Sequence, residues 1–412
     1  MRGLLCLLAA ASPARAADVD VHGFAQVNYA ARTTGRKPSP AAGDFLLGDE
    51  RVQISLAGFA PSGAAGFLAK ADFFHDAVDG RADMDLREAY LDLPGEYLEA
   101  RLGRQIVTWG VGDLLFISDV FPKDWEAFFS GRPLEYLKSG SDALKLNFYY
   151  GALGVEAIAV PFFTPDRLPD AQRFFLHDPF AGVGQKSVSE PSKDLENTEL
   201  ALRAYRPLGA YDAALYVYRG FHRTPAAFPD SLASPAVVSL RYPRLNVYGV
   251  SAQGPAPGGV AVFEAGYYDS REDLAGTDSL IPNSQARYLL GYRRQLGKDL
   301  SGGLQYYGEY MLRHGRYRGT IPAGFPAADR LRQVLTLRLT RTFKYQTWRV
   351  SLFSYWSPTD EDFYLIPEVR HSLADGIWLA LGANIFGGAS RTTFFGQFDR
   401  NDNVYMSARY EF

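Results

Sequence analysis

The stretch Asn403–Phe412, N-V-Y-M-S-A-R-Y-E-F, decides the fold. Side chains alternate along an extended strand, so Val404, Met406, Ala408, Tyr410 and Phe412 share one side, and Asn403, Tyr405, Ser407, Arg409 and Glu411 share the other. One side suits lipid and the other suits water. Such a strand needs a neighbour, because in a bilayer an unpaired edge leaves amides and carbonyls without hydrogen bonds. Pairing with the first strand is the expected solution and closes a barrel. The alternative is the edge strand of a soluble sheet.

At the other end, Met1-Arg2 is a short basic start, Gly3–Ala11 is apolar but too short to span a bilayer, and Ala14-Arg15-Ala16 is a small-x-small site. A signal peptide over 1–16 and export of the remainder are therefore expected. The single cysteine, Cys6, lies in that segment without the small-residue pattern of a lipoprotein site. Neither disulfides nor cysteine-bound metals are expected in the mature chain, 17–412, which reads as one domain.

No apolar run reaches about 18 residues, so a membrane reading requires strands rather than helices. With 25 Tyr, 28 Phe and 40 Gly against 4 Met, the composition favours strands, turns and interface aromatics. The slightly negative mean hydropathy does not conflict, since half of each barrel strand faces water. A net charge of −3 with scattered basic residues gives no sign of nucleic-acid binding.

Alternation predicts strands at 19–31, 47–58, 64–74, 82–93, 96–110, 141–150, 152–162, 196–207 and 210–220. It continues at 237–252, 259–270, 284–296, 300–313, 330–343, 345–357, 361–373, 376–387 and 402–412. Short turns such as Pro94-Gly95, Gly151 and Leu208-Gly209 follow even-numbered strands. The long connections 32–46, 111–140, 163–195, 221–236, 271–283, 314–329 and 388–401 follow odd-numbered ones. The expected fold is an all-β transmembrane antiparallel barrel of about 18 strands, 16 to 18, with long extracellular loops and short periplasmic turns.

Val52/Ile54/Leu56, Leu144/Leu146/Phe148, Tyr288/Leu290/Tyr292, Leu335/Leu337/Leu339 and Ile377/Leu379/Leu381 are the expected lipid-facing rows. The interleaved residues would form the lumen wall: Arg51, Arg101, Lys145, Arg203, Arg287, Arg293, Arg332, Arg338, Arg349 and Arg370 supply its basic groups. A wall this charged implies water inside. Tyr149-Tyr150, Tyr267-Tyr268, Tyr306-Tyr307 and Trp348 fit interface girdles or ordinary cross-strand packing.

The connection 111–140 is unlike a solvated loop. It combines Leu114, Leu115, Phe116, Ile117, Phe121, Trp125, Phe128 and Phe129 with Asp113, Asp119, Lys123, Asp124, Glu126 and Arg132. So much apolar area requires burial, and Asp124–Phe129 suits a short helical turn. The loop is expected to fold into the lumen, narrow it and present those charges; a loop lying across the barrel mouth or on a partner is the alternative.

Leu86–Leu93 (L-R-E-A-Y-L-D-L), followed by Leu102–Gly110 (L-G-R-Q-I-V-T-W-G) and Asp113, resembles the R-E-x-Y … G-R-Q-x-x-x-W-G segment of porin-like outer-membrane families related to alginate-export and phosphate-selective porins. The resemblance covers about residues 86–135. It implies a porin-type barrel in the bacterial outer membrane, a channel for small hydrophilic solutes, without fixing the solute. Some porin-like barrels instead sheathe a multihaem cytochrome, and a cytochrome or homo-oligomeric partner stays open. No C-x-x-C-H occurs, so no haem of its own and no other cofactor is expected.

The lumen positions give about a dozen basic against about eight acidic groups, which predicts a modest anion preference unless the arginines are paired with wall and loop carboxylates. An enzyme is not expected. The six histidines, His22, His75, His177, His222, His314 and His371, match no catalytic constellation, and neither G-x-S-x-G nor H-E-x-x-H occurs. Asp79, Asp83 and Asp85 lack the spacing of a calcium loop.

Overall fold

The computed structural model describes residues 19–40, 42–322 and 324–412; the expected signal peptide lies outside them. The chain runs β1 (Val19–Arg32), β2 (Phe45–Phe59), β3 (Gly66–Asp76), β4 (Arg81–Leu93), β5 (Leu98–Gln105), α1 (Trp125–Ser130), β6 (Ser141–Tyr150), β7 (Leu153–Val160), β8 (Gln185–Ser189), β9 (Glu199–Leu208) and β10 (Tyr211–Phe221). It continues through β11 (Ala226–Pro229), β12 (Val237–Arg241), β13 (Arg244–Ala256), β14 (Gly259–Ser270), β15 (Gln285–Gly297), β16 (Leu300–Met311) and α2 (His314–Thr320). The last strands are β17 (Leu331–Phe343), β18 (Trp348–Ser357), β19 (Asp362–Ala374), β20 (Ile377–Gly388) and β21 (Asn403–Glu411).

Eighteen of these strands form one closed antiparallel sheet. Closure is made by β21 on β1, in register from Phe24 opposite Glu411 to Arg32 opposite Asn403. Gly23 and Phe412 then exchange backbone hydrogen bonds of 2.8 and 2.9 Å, so the seam is paired to its last residue. β8, β11 and β12 form a separate three-stranded sheet among the long loops.

The expected strand 237–252 is really two elements. Residues 237–241 join the small sheet, and the barrel strand starts only at Arg244. Between them lies Pro243, which has no N–H for a ladder and instead accepts from the His222 amide at 2.9 Å. The expected strand 96–110 likewise ends at Gln105, where the chain leaves the wall and turns inward.

Outward and inward faces follow the period of two. Val52, Ile54, Leu102, Leu144, Leu202, Leu215, Leu290, Leu304, Leu337, Leu379, Leu381, Val404 and Met406 all point out and are exposed, forming an aliphatic belt around the barrel. A continuous apolar belt of this kind would be unstable in water, and lipid is the solvent that fits it. Phe59, Tyr97, Tyr150, Tyr211, Phe343 and Tyr345 stand exposed beside the short turns, as an interfacial girdle does. The tyrosine pairs divide between the faces: Tyr150 and Tyr267 point out, whereas Tyr268 and Tyr307 are buried inside.

Inside, a large cluster joins Ile117, Phe121, Phe128 and Phe129 to wall residues Tyr216, Val247, Tyr268, Leu289, Tyr355, Tyr364 and Phe386. The barrel therefore has a packed layer across its lumen, made from its own loops.

Candidate functional site, the loop folded across the lumen

Residues 106–140 cross the barrel interior and are fastened to the wall at many points. The deepest fastening is Glu264 on β14, fully buried, whose carboxylate accepts from the backbone N–H groups of Val111 at 2.9 Å, Gly112 at 3.2 Å and Ser118 at 2.7 Å. A single carboxylate thus closes the loop segment 111–118 into a turn around itself. Gly110, with φ +79°, lies so close that a Cβ there would stand 2.7 Å from Glu264 Oε1. Gly266, two residues along the same inward face, leaves room for Ile117, whose Cγ2 would be 2.7 Å from an added Cβ.

Three wall tyrosines donate to loop carbonyls. Tyr268 reaches Ile117 at 2.6 Å, Tyr355 reaches Leu114 at 2.9 Å and Tyr364 reaches Phe128 at 3.3 Å. Gln305 accepts from the Asp113 amide at 2.7 Å and donates to its carbonyl at 2.9 Å. The Asp113 side chain takes both arms of Arg338, the second at 2.8 Å. Between these contacts Leu114 adopts φ +57°, a conformation an L side chain seldom takes without being held.

The helix forms for local reasons. Asp124 caps it, accepting from the Ala127 amide at 2.7 Å, and Gly131 ends it at φ +84°. Its carbonyl accepts from Asn28 at 3.1 Å, tying the loop to the first strand. Trp125, Phe128 and Phe129 then pack against Phe394, Tyr364 and Phe398.

The expected loop charges serve this architecture. Asp119, Lys123, Asp124, Glu126 and Arg132 are buried, and of the six only Asp113 is partly open to the lumen. Asp119 takes Lys123 at 3.4 Å and Lys138 at 2.6 Å; Glu126 takes Arg167 at 2.7 Å from the connection 163–195; Arg132 reaches Asp49 at 3.5 Å. Lys123 also donates to the carbonyls of Asp119 and Phe121, and burial lowers its pKa against the pull of Asp119. These charges are paired internally, because a loop buried on both faces must match each charge it carries.

The wall residues divide the same way. Arg51 is 4% exposed between Asp49 and Asp72, so a charged wall here means pairing rather than water. Arg101 pairs with Asp92 at 2.6 Å, Lys145 with Glu156 at 3.8 Å and Arg349 with Glu368 at 3.1 Å. Arg287 and Arg332 flank Glu309 at 3.5 and 3.7 Å, and Arg332 also holds Asp360 at 2.6 Å. Among the described residues, Arg203, Arg293 and Arg370 have no carboxylate within salt-bridge distance; Arg370 lies 3.6 Å over the Trp378 ring, and Arg293 donates to Gln253 at 3.2 Å.

Asp79, Asp83 and Asp85 do not converge: they turn to Arg173, Arg81 and Arg87 respectively. Sequence reading missed Glu264, Gln305 and the three anchoring tyrosines. The parity of β14, with Val262, Glu264, Gly266 and Tyr268 on one face, was the available signal. Two of the motif residues, by contrast, turn out to be loop fastenings: Arg87 donates to the carbonyls of Glu135 at 2.8 Å and Lys138 at 3.0 Å, and Trp109 to Glu156; Gln105 donates to Ala143 at 3.0 Å between the wall strands β5 and β6.

On the loop side of this layer opens a cavity of about 960 Å³, lined by Phe116, Trp125, His222, Arg287, Arg332 and Phe394 among others. No protein-family model matches the sequence, and no curated protein matches it. Among solved structures, Pseudomonas aeruginosa OccD3 (OpdP) is similar at 11% identity and a TM-score of 0.56, with 98% of this chain and 95% of that chain covered. The chain has a porin-type barrel fold. A multiply substituted Rh. blastica porin aligns over 96% of this chain and 100% of its own, with 12% identity and a TM-score of 0.45.

Proposed function

We propose that the protein is an outer-membrane channel that passes small hydrophilic solutes through a lumen narrowed by residues 106–140. The observation that carries this reading is the combination of an aliphatic belt outside with a charged, hydrogen-bonding interior. A barrel removes the bilayer's barrier to polar solutes, and wall groups replace part of their hydration. The loop sets the size limit: it crosses from Glu264 to Asn28, nearly opposite sides of the ring, so a solute has to pass beside it.

A weak anion preference remains part of the reading, now confined to Arg203, Arg293 and Arg370, since the other wall cations face carboxylates. The alternative role as a sleeve for a cytochrome loses support, because the protein's own loop fills the space a threaded partner would need. A homo-oligomer is compatible with this reading and is not required by it.

Swelling of liposomes carrying the refolded protein tests the proposal. Small sugars and amino acids should enter and large oligosaccharides should not; vesicles that exclude every solute despite correctly folded barrels would refute it.

A further inference from the structure

The outer wall changes character at the loop ends of β10, β13, β14 and β16. Val217, Tyr248, Tyr267 and Tyr310 lie in one register row on the outward face, and Tyr248 and Tyr267 stack at 6.5 Å. Directly above that row come cations. Arg219 and Arg244 follow on the outward faces of β10 and β13, Arg271 lies just past β14, and the Arg330 guanidinium sits 4.9 Å over the Tyr310 ring. From Tyr211, beside the short turn, to Arg219 is about 20 Å along the bilayer normal, at about 3.3 Å per residue and a tilt of roughly 40°. Its long side chain therefore reaches the upper border of an apolar band about 25 Å tall.

These cations lack counter-ions. Elsewhere on the same rim exposed cations are paired: Lys37 with Asp44 at 3.1 Å, Arg391 with Asp399 at 3.8 Å, and Arg81 with Asp83. Among the described residues, Arg219, Arg244, Arg271 and Arg330 have no carboxylate within salt-bridge distance; Arg244 donates to the Asn197 side chain at 3.1 Å and lies 5.5 Å from the Phe221 ring centre. The nearby acids are engaged elsewhere. Asp269 accepts from Asn246 at 3.1 Å, Glu272 from the Arg244 amide at 2.7 Å, and Asp329 lines the mouth cavity. Partial burial and then the neighbouring Arg219 and Arg244 guanidiniums lower the pKa of Arg271, against the pull of Asp269 and Glu272. Guanidiniums gathered above aromatic rings, at the level where headgroups begin, are complementary to an anionic lipid.

We propose that this outer face holds the phosphorylated glycolipid of the bacterial outer leaflet, with a phosphate between Arg219 and Arg271, Arg244 and Arg330 flanking it, and acyl chains running down the belt past Tyr248 and Val217. Guanidinium forks match phosphate oxygens two at a time, and a phosphate placed among them removes their mutual repulsion. Free phosphate would gain those contacts without the apolar ones, so charge and belt together select the lipid. The inference concerns the outside of the wall and stands apart from solute passage, since a barrel that passes nothing would bind the lipid equally well.

The test is titration of the refolded barrel in neutral detergent with lipid A carrying two phosphates, read by native mass spectrometry beside dephosphorylated lipid A and inorganic phosphate. The phosphorylated lipid should bind at least about tenfold more tightly than either control. Arg219→Gln with Arg271→Gln should weaken it about thirtyfold, roughly fivefold for each charge at a membrane surface, and leave the dephosphorylated lipid unchanged. Arg81→Gln, which removes a paired cation on β4, should bind as the wild type does. If the double variant does not close its barrel, each single variant, expected at about fivefold, gives the same reading. Equal binding of the two lipids, inorganic phosphate as tight as the phosphorylated lipid, or closed variant barrels that bind it undiminished would each overturn the headgroup site.

Discussion

Glu264 Oε1 accepts from the Ser118 amide at 2.7 Å, across 146 residues of sequence. With Oε2 on Val111 and Gly112, it makes the β14 wall the anchor of the inward loop. Replacing it by alanine leaves three loop N–H groups without their acceptor in a buried place, at a cost of roughly 3 kcal/mol. Glu264→Ala is expected to lower the urea midpoint of unfolding in vesicles and to loosen the loop, seen as faster proteolysis between 106 and 140. Gly110→Ala should act in the same direction, since its φ of +79° and the nearby carboxylate both oppose a side chain.

Asp113 and Arg338 pair in the lumen about a third exposed, so solvent screening limits their worth to roughly 1 kcal/mol. Their larger effect should be on ions. Asp113→Asn leaves Arg338 uncompensated and is expected to move the reversal potential in a KCl gradient toward chloride; Arg338→Gln should move it toward potassium. Identical reversal potentials in both variants would mean that ions do not pass this point.

His222, half-buried beside the cavity, has its pKa pushed down to about 4 by burial and then by the Arg287 guanidinium. The folded state therefore binds fewer protons than the unfolded state between about pH 4 and 6.5, and stability must fall as pH drops through that window. Its partial contact with the cavity reduces the effect to roughly 2 kcal/mol. Melting at pH 7.5 and pH 4.5 should show a smaller loss for His222→Gln than for the wild type.

Leu339 points outward in the belt and Thr340 inward, one residue apart. Leu339→Arg should cost roughly 2–4 kcal/mol of folding into vesicles, whereas Thr340→Arg should be nearly neutral. Equal costs would contradict the assignment of faces.

The strands were legible because each repeats one physical requirement, apolar out and polar in, over about ten residues. The seam at Asn403–Phe412, the inward loop and the helical turn at Trp125 came from the same logic: apolar surface has to be covered. For wall charge the sequence left two readings open, pore-lining cations or pairing with carboxylates. Arg51 and Arg332 look identical to pore-lining cations in sequence, and only the fold brings Asp72 or Asp360 to them. Glu264 was invisible for the same reason, since its partners are backbone amides of a distant loop. The break at Pro243 was visible in principle, but alternation continued across it.

The most direct test is single-channel conductance of the refolded wild type in a planar bilayer, measured beside Glu264→Ala. The account predicts small ohmic steps for the wild type and larger or noisier ones for the variant, because the loop that narrows the lumen has lost its anchor. Equal conductance in the two proteins, or silence from both when correctly folded, would contradict the claim that this loop sets the passage.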